Sequence, residues 1–309
     1  MKKHLIFYLI GLAIIILLAT FFYERYFENL PEFALANLAQ VRAPRAGDRI
    51  LVIAPHPDDE ALGVGGYIYQ AILSGATVKV VIVTNGDGGR FAATDKYKNL
   101  DPNSKDYISL GYLRQNESTA ALAELGLAKS DIIFLGFPDS GLRKMLTKNW
   151  QVPYKSTYTK VSSSPYSDSY EPNVSYTSDN LTKNLTSLIS DYKPTIVFAT
   201  SSMDLHPDHV AVAAFTQLAL KNQTNYTLYF YLVHYRHFPS PKGVQLSRFL
   251  TPPLRLMNFS NIWSNYNLDS NTVKLKQSAI GKYKSQFSDP LLKSLMFGFA
   301  KKNEIFTNY

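Results

Sequence analysis

The chain contains no cysteine. That excludes disulfide bonds, thiolate metal ligands and a cysteine nucleophile, but it leaves the compartment open, because many envelope proteins also lack cysteine. No internal repeat is visible, which argues against a repeat architecture. No basic motif or recognition-helix pattern stands out, which argues against nucleic acid. The 32 basic residues against 24 acidic ones still give a formal charge of +8, which favours anionic surfaces or substrates. A dinucleotide signature is also missing. Gly63, Gly65 and Gly66 follow a cluster of carboxylates, where they are expected to permit close helix–sheet packing.

What is present begins with length. A chain of 309 residues with 46% hydrophobic content can bury one large core without cross-links. Leu5–Tyr23 is an almost unbroken apolar run of about the length that crosses a bilayer. Lys2 and Lys3 precede it, and Glu24, Arg25, Glu28 and Glu32 follow, so the positive-inside rule predicts a single-pass anchor over 1–24 with the rest of the chain outside the cytoplasm. A cleaved signal peptide is the rival reading. Ala34-Leu35-Ala36 has the small-x-small form, but it lies too far beyond the run, and the run is longer than a usual signal core. Residues 25–48 read as a juxtamembrane linker with a short helix around Pro31–Gln40, and 49–309 as the functional domain.

From Arg49 onward, apolar β-branched runs alternate with helical windows. Ile50–Ala54, Thr77–Thr84, Asp131–Phe134, Thr195–Ala199 and Thr227–Val233 read as strands. Asp59–Ser74, Asp106–Leu125, Asp179–Tyr192 and Pro207–Lys221 carry apolar residues at helical spacing, and Gly75 and Gly126 stand where helices stop. The alternation predicts an α/β fold, a Rossmann-like, mostly parallel sheet with helices on both faces. Thr147–Ser178 interrupts it with Tyr154, Tyr158, Tyr166, Tyr170 and Tyr176 among Ser, Thr and Pro. The segment is either a lid whose tyrosines pack on sugar faces or a surface insertion. Asn271–Phe287 and Leu291–Lys302 read as closing helices. The sequons at Asn116 and Asn184 are taken as composition, Asn116 because its helix is expected to face the site.

Chemistry concentrates in two places. Ala54-Pro55-His56-Pro57-Asp58-Asp59-Glu60 packs a histidine and three carboxylates directly after the first strand, and its prolines keep it a shaped loop until a helix begins near Asp59. His206-Pro207-Asp208-His209 again follows a strand and opens a helix. Ligands of open α/β sheets bind at such strand ends. Histidines and carboxylates meeting there would suit a hydrolytic zinc, which takes three protein ligands and leaves one position for water. Asp58 and Asp59 cannot readily share one metal, because successive side chains diverge, so one should ligate while the other stands free. Asp58 or Asp59 could instead merely cap a helix, as could Asp208. Arg114 could be a surface residue paired with Glu117.

Together with Thr84-Asn85-Gly86-Asp87, Arg114-Gln115-Asn116-Glu117, Leu135-Gly136-Phe137-Pro138-Asp139 and Tyr231-Leu232-Val233-His234, these two motifs resemble the PIG-L (LmbE-like) family of zinc-dependent N-acetylglucosaminyl deacetylases. The likeness runs from about residue 49 to about 240. It implies His56, Asp59 and His209 as Zn2+ ligands and Asp58 as general base. His206 would stabilise the oxyanion, best if protonated, and Asp208 would orient a histidine. Arg114 and Asp139 would meet sugar hydroxyls, and His234 would line the pocket. Glu60 is expected to make structural hydrogen bonds, while Asp87 and Arg90 are weaker site candidates.

The expectation is therefore a membrane-anchored de-N-acetylase acting on an N-acetylated sugar, glycan or glycolipid, with no nucleic acid or protein partner evident. A deacetylase of a small sugar-linked thiol precursor is an alternative, which the anchor disfavours. A carbohydrate-binding envelope protein without turnover is another, disfavoured by a free base beside three ligands.

Overall fold

The computed structural model describes residues 2–27, 31–257 and 262–308. A helix, α1 (Lys2–Phe27), precedes a short 3-10 turn at Glu32–Asn37 and the two-residue strand β1 (Ala39–Gln40). The alternating part follows as β2 (Arg49–Ala54), α2 (Asp59–Leu73), β3 (Thr77–Thr84), α3 (Arg90–Tyr97), α4 (Ser104–Glu124), β4 (Ile132–Phe137), α5 (Leu142–Lys148), α6 (Ser178–Tyr192), β5 (Ile196–Thr200), α7 (Pro207–Leu220) and β6 (Thr227–Tyr231). The chain closes with β7 (Ile262–Asn267), α8 (Ser270–Ile280), α9 (Pro290–Phe297) and β8 (Asn303–Asn308).

The strands form one sheet in the order β1-β7-β8-β6-β5-β2-β3-β4. All its pairings are parallel except those of β8, which runs antiparallel to both β6 and β7. Period-two alternation sends Ile50, Val52, Val80, Ile82, Ile196 and Phe198 to one face, where α2, α4 and α8 cover them. Leu51, Ile53, Val81, Val83, Val197 and Ala199 go to the other face, under α5, α6 and α7. Both faces are buried, which is why these strands read as nearly continuous apolar runs.

Glycine sets the closeness of one layer. A Cβ on Gly63 would lie 2.2 Å from the Tyr231 ring, and one on Gly66 2.5 Å from Leu268. Beside them, Glu304 of β8 accepts from the N–H groups of Gly66 (2.7 Å) and Tyr67 (2.9 Å) and from Lys276 Nζ (2.6 Å), all buried. The last strand is thereby tied to the helix that carries Asp59.

Two expectations are corrected. The first is the anchor: among the described residues no helix is long and apolar enough to cross a membrane. The extracytoplasmic placement argued from that anchor falls with it. Second, the window Leu291–Lys302 is not one helix: α9 stops at Phe297, and the chain then enters β8. Likewise Asn271–Phe287 divides into α8 and a 3-10 turn at Lys284–Ser288. The tyrosines of Thr147–Ser178 divide between core and surface. Tyr154, Tyr166 and Tyr176 are buried, Tyr158 is half-buried and Tyr170 is exposed.

Candidate metal centre and its cleft

Strand order reverses between β2 and β5. From β2 the chain goes to β3 and β4 on one side, and later to β5 and β6 on the other, so the loops after β2 and β5 part and leave a crevice. Both histidine motifs lie in those loops.

The first loop is strained. Asp58 sits at φ 128° and ψ −35°, a conformation that costs a non-glycine residue about 1–3 kcal/mol. Arg114 holds it from α4, with Nη2 donating to Pro57 O (2.7 Å) and Asp58 Oδ2 (3.1 Å) and Nη1 donating to Gly86 O (2.9 Å). On the other side the Asp58 N–H donates to Glu60 Oε2 (3.0 Å). Glu60 is itself buried and accepts from Ser118 Oγ (2.8 Å) and Tyr283 OH (2.7 Å). Glu60 is thus structural here. Arg114 is not paired with Glu117, which instead accepts from Ser285 N (2.7 Å) and Oγ (2.6 Å).

The second loop ends in a regular cap. His206 is the N-cap of α7, its Nδ1 accepts from the Asp208 N–H (3.3 Å), and Pro207 takes the first helical turn. A neutral His206 therefore carries its ring proton on Nε2. Asp208 does not cap its own helix. It accepts from the N–H groups of Ser140 (2.6 Å) and Leu142 (3.0 Å) at the start of α5, and its Oδ2 lies 3.4 Å from His56 Nε2.

At the meeting of the loops, three donor atoms form a triangle. Asp59 Oδ2 is 3.1 Å from His56 Nδ1 and 3.1 Å from His209 Nε2, and the two nitrogens are 3.3 Å apart. Tetrahedral zinc with ligands at about 2.0–2.2 Å needs edges of about 3.3–3.6 Å, within a few tenths of an ångström of these, so the donor set fits such an ion. Asp59 Oδ1 is buried and has no hydrogen-bond partner. His56 Nε2 faces away from the triangle toward Asp208 and Asp139 Oδ1 (3.4 Å), the outer partners that fix a ligand's tautomer.

Electrostatics agree with a cation there. Burial alone would raise Asp59, but His209 and His56 outweigh it and hold the carboxyl well below its usual range. Burial would lower His209, yet Asp204 and Asp59 raise it to about 10. A centre that binds protons this firmly between carboxylates has the donors to bind a dication in their place. By contrast, burial and the charges of His56 and His209 push His206 down to about 3. His234 falls to about 4, through burial and His209. Burial pushes Asp58 up to about 8 against the pull of Arg114.

A cleft of about 210 Å³ opens over this centre. His56, Asp58, Arg114, Asp139, His206 and His234 line it, with Leu62, Leu292, Leu295 and Gln286 on the less polar wall. Asp59, His209 and Asp208 lie buried beneath. All nine predicted site residues thus gather at one place. Arg90 does not join them, being exposed, and Asp87 is buried behind Asp139, accepting from Tyr166 OH (2.7 Å) and the Asp139 N–H (3.3 Å). Asn116, expected to face the site, is exposed. Sequence reasoning missed Gln286, Leu292 and Leu295, which carry no motif. It also missed Asp204, which stands two residues before His206 and was visible as an extra acid in the same cluster.

The family model described as PIG-L, GlcNAc-PI de-N-acetylase, matches residues 51–220. The 1D-myo-inositol 2-acetamido-2-deoxy-alpha-D-glucopyranoside deacetylase of Mycobacterium sp. (strain KMS) is 41% identical over 98 residues, 30% of this chain and 30% of that protein. The protein of the same name from Rhodococcus jostii (strain RHA1) is 30% identical over 179 residues, 56% of this chain and 53% of its own length. The chain therefore spans from under a third to about half the length of these curated relatives. Among solved structures, a deacetylase from the biosynthesis pathway of teicoplanin shares 20% identity with a TM-score of 0.55, covering 84% of this chain and 96% of that one. The A40926 pseudoaglycone deacetylase shares 19% identity over the same fractions with a TM-score of 0.52. These two likenesses speak for the fold. The family match covers more than half of the chain, and the chain belongs to the PIG-L family.

Proposed function

We propose that this protein is a zinc-dependent hydrolase that removes the acetyl group from an N-acetylglucosamine-type amide. The observation that carries the reading is the triangle of His56 Nδ1, Asp59 Oδ2 and His209 Nε2, with the separate carboxylate of Asp58 at the edge of the same cleft. When bound, zinc would lower the pKa of a water toward about 7 and polarise the acyl oxygen. Asp58 accepts the proton of the attacking water and returns it to the departing amine. Ionised Asp58 is the working form, and Arg114 favours it. His206 Nε2–H, left free by the contact at Nδ1, donates to the developing oxyanion.

Asp139 and His234 are proposed to meet the sugar. Arg114 also faces the cleft, but its Nη1 and Nη2 already bond Gly86, Pro57 and Asp58, so its share in substrate binding is smaller than its hold on the base. The argument for a glycan or glycolipid substrate rested on an anchor, and without it a small sugar conjugate stands on equal ground. The names of the curated relatives, which specify a 2-acetamido-glucopyranoside of inositol, favour that second substrate class.

The test is acetate release by purified protein with added zinc over a panel of N-acetylglucosaminyl inositols, thiol glycosides, glycans and glycolipids. Turnover on at least one is expected. Sugar binding without acetate release across the panel would overturn the reading in favour of a binding protein.

A further inference from the structure

Asp204 lies between β5 and α7, is buried, and has no part in the chemistry above. Its two oxygens nevertheless gather contacts from three pieces of the centre. Oδ1 accepts from the backbone N–H of His206 at 2.8 Å. Oδ2 accepts from the N–H groups of Val233 and His234, both at 2.9 Å, and stands 3.2 Å from His209 Nδ1. That last contact is an ion-pair approach rather than an aligned hydrogen bond. It turns the ring so that Nε2 faces Asp59 and His56.

The arrangement follows from the sheet. β5 and β6 are parallel neighbours, so their following loops leave the same edge side by side. Their pairing continues past the strands, Ser201 N–H donating to Tyr231 O and Leu205 N–H to His234 O, both at 2.8 Å. One carboxylate between the two loops can therefore serve both. A metal-binding histidine gains a fixed tautomer and ring orientation from a carboxylate at its second nitrogen.

We propose that Asp204 is a positioning residue that ties His209 to the backbone of Val233 and His234, and so to the cleft wall at His234. It makes the ligand nitrogen, the His206 loop and that wall one unit. Asparagine cannot replace it, because one acceptor oxygen cannot serve both the His206 side and the Val233–His234 side. The proposal rests on the function above only in taking His209 as a metal ligand.

The experiment uses the full chain and needs no substrate. Zinc affinity is measured by competition with a chromogenic chelator for the parent, Asp204→Asn, Asp204→Glu and the control His209→Ala. Amide hydrogen exchange is followed at Val233 and His234. Asp204→Asn is expected to bind zinc about 10–100-fold more weakly and to exchange faster at both amides, with Asp204→Glu in between. Parental zinc affinity in Asp204→Asn overturns the proposal, and should that variant not fold, parental affinity in Asp204→Glu does so. A parent that binds no zinc overturns it together with the ligand assignment. Intact zinc binding without acetate release falls on the proposed function alone.

Discussion

The loops after β2 and β5 supply one centre, yet they are built in opposite ways. The first carries a non-glycine residue, Asp58, at φ 128°, and depends on a guanidinium from α4 and a buried carboxylate to stay there. The second runs into α7 through a histidine N-cap and a proline at the first turn, with ordinary dihedrals at His206. The residue proposed to move protons stands in the strained loop, while the capped loop supplies a fixed donor and a ligand. Strain held in place by surrounding contacts places a group where a relaxed chain would not. The capped loop stores no such strain: its N-cap bond is local, and Asp204 ties it to the loop after β6.

The sharpest way to separate the loops is to remove one function from each. His209→Ala should abolish zinc binding, and with it activity, by leaving two of the three triangle donors. Metal analysis after gel filtration is the readout. Asp58→Asn should keep zinc and lower kcat by about 10²–10⁴, the usual worth of a positioned proton acceptor. An Asp58→Asn protein that loses its metal, beside an Asp59→Asn protein that keeps it, would reverse the two assignments.

A smaller effect tests the strain itself. Arg114→Lys keeps the charge but cannot bond Pro57 O, Asp58 Oδ2 and Gly86 O at once. With the clamp weakened, kcat should fall about ten- to a hundredfold while KM stays within about threefold, given the 1–3 kcal/mol held at Asp58. A change confined to KM would return Arg114 to the sugar.

This contrast explains what the sequence made legible. Both motifs announced themselves because prolines and clustered acids stand directly after apolar runs, and strands such as Thr77–Thr84 are themselves nearly continuous apolar runs. Asp204 did not, since its partners Val233 and His234 arrive only through the pairing of β5 with β6. β7 and β8 hold Ser264, Asn265, Asn303 and Glu304 in buried positions, so apolar alternation was absent where strands were present. The apolar run at Leu5–Tyr23 points the other way: it has the composition of a span, yet among the described residues no helix is long and apolar enough to cross a membrane. Tyrosines between 147 and 178 look alike in sequence whether they face a cleft or a core. Gly111 and Gly136 decide it for Tyr166 by leaving room for the ring.

The smallest expected effect lies behind the strained loop, where Asp87 is buried beneath Asp139. Burial, and then the charge of Asp139, raise its carboxyl to about 7, against weaker opposing contributions from Tyr166, the Asp139 N–H and Arg114. Below about pH 4 the group is protonated in both the folded and unfolded chains and does not affect stability. Between about 4 and 7 the unfolded chain releases the proton while the folded chain keeps it. Stability from this group therefore falls as pH rises through that window, and levels off above it. Asp87→Asn has no such proton. Urea midpoints of variant and parent, compared from pH 4 to 8, should show the variant gaining on the parent up to about pH 7 and holding a constant difference beyond. The relaxed side offers the matching control, because Asp204 is held below its ordinary value: burial opposes this, but the charge of His209 prevails. Its own contribution is present above the unfolded pKa and is lost only as pH falls through the lower folded one. A variant-minus-parent difference for Asp87→Asn that stays flat from pH 4 to 8 would mean the buried carboxyl is ionised throughout, and that Asp139 and Tyr166 pack against a charge rather than a neutral acid.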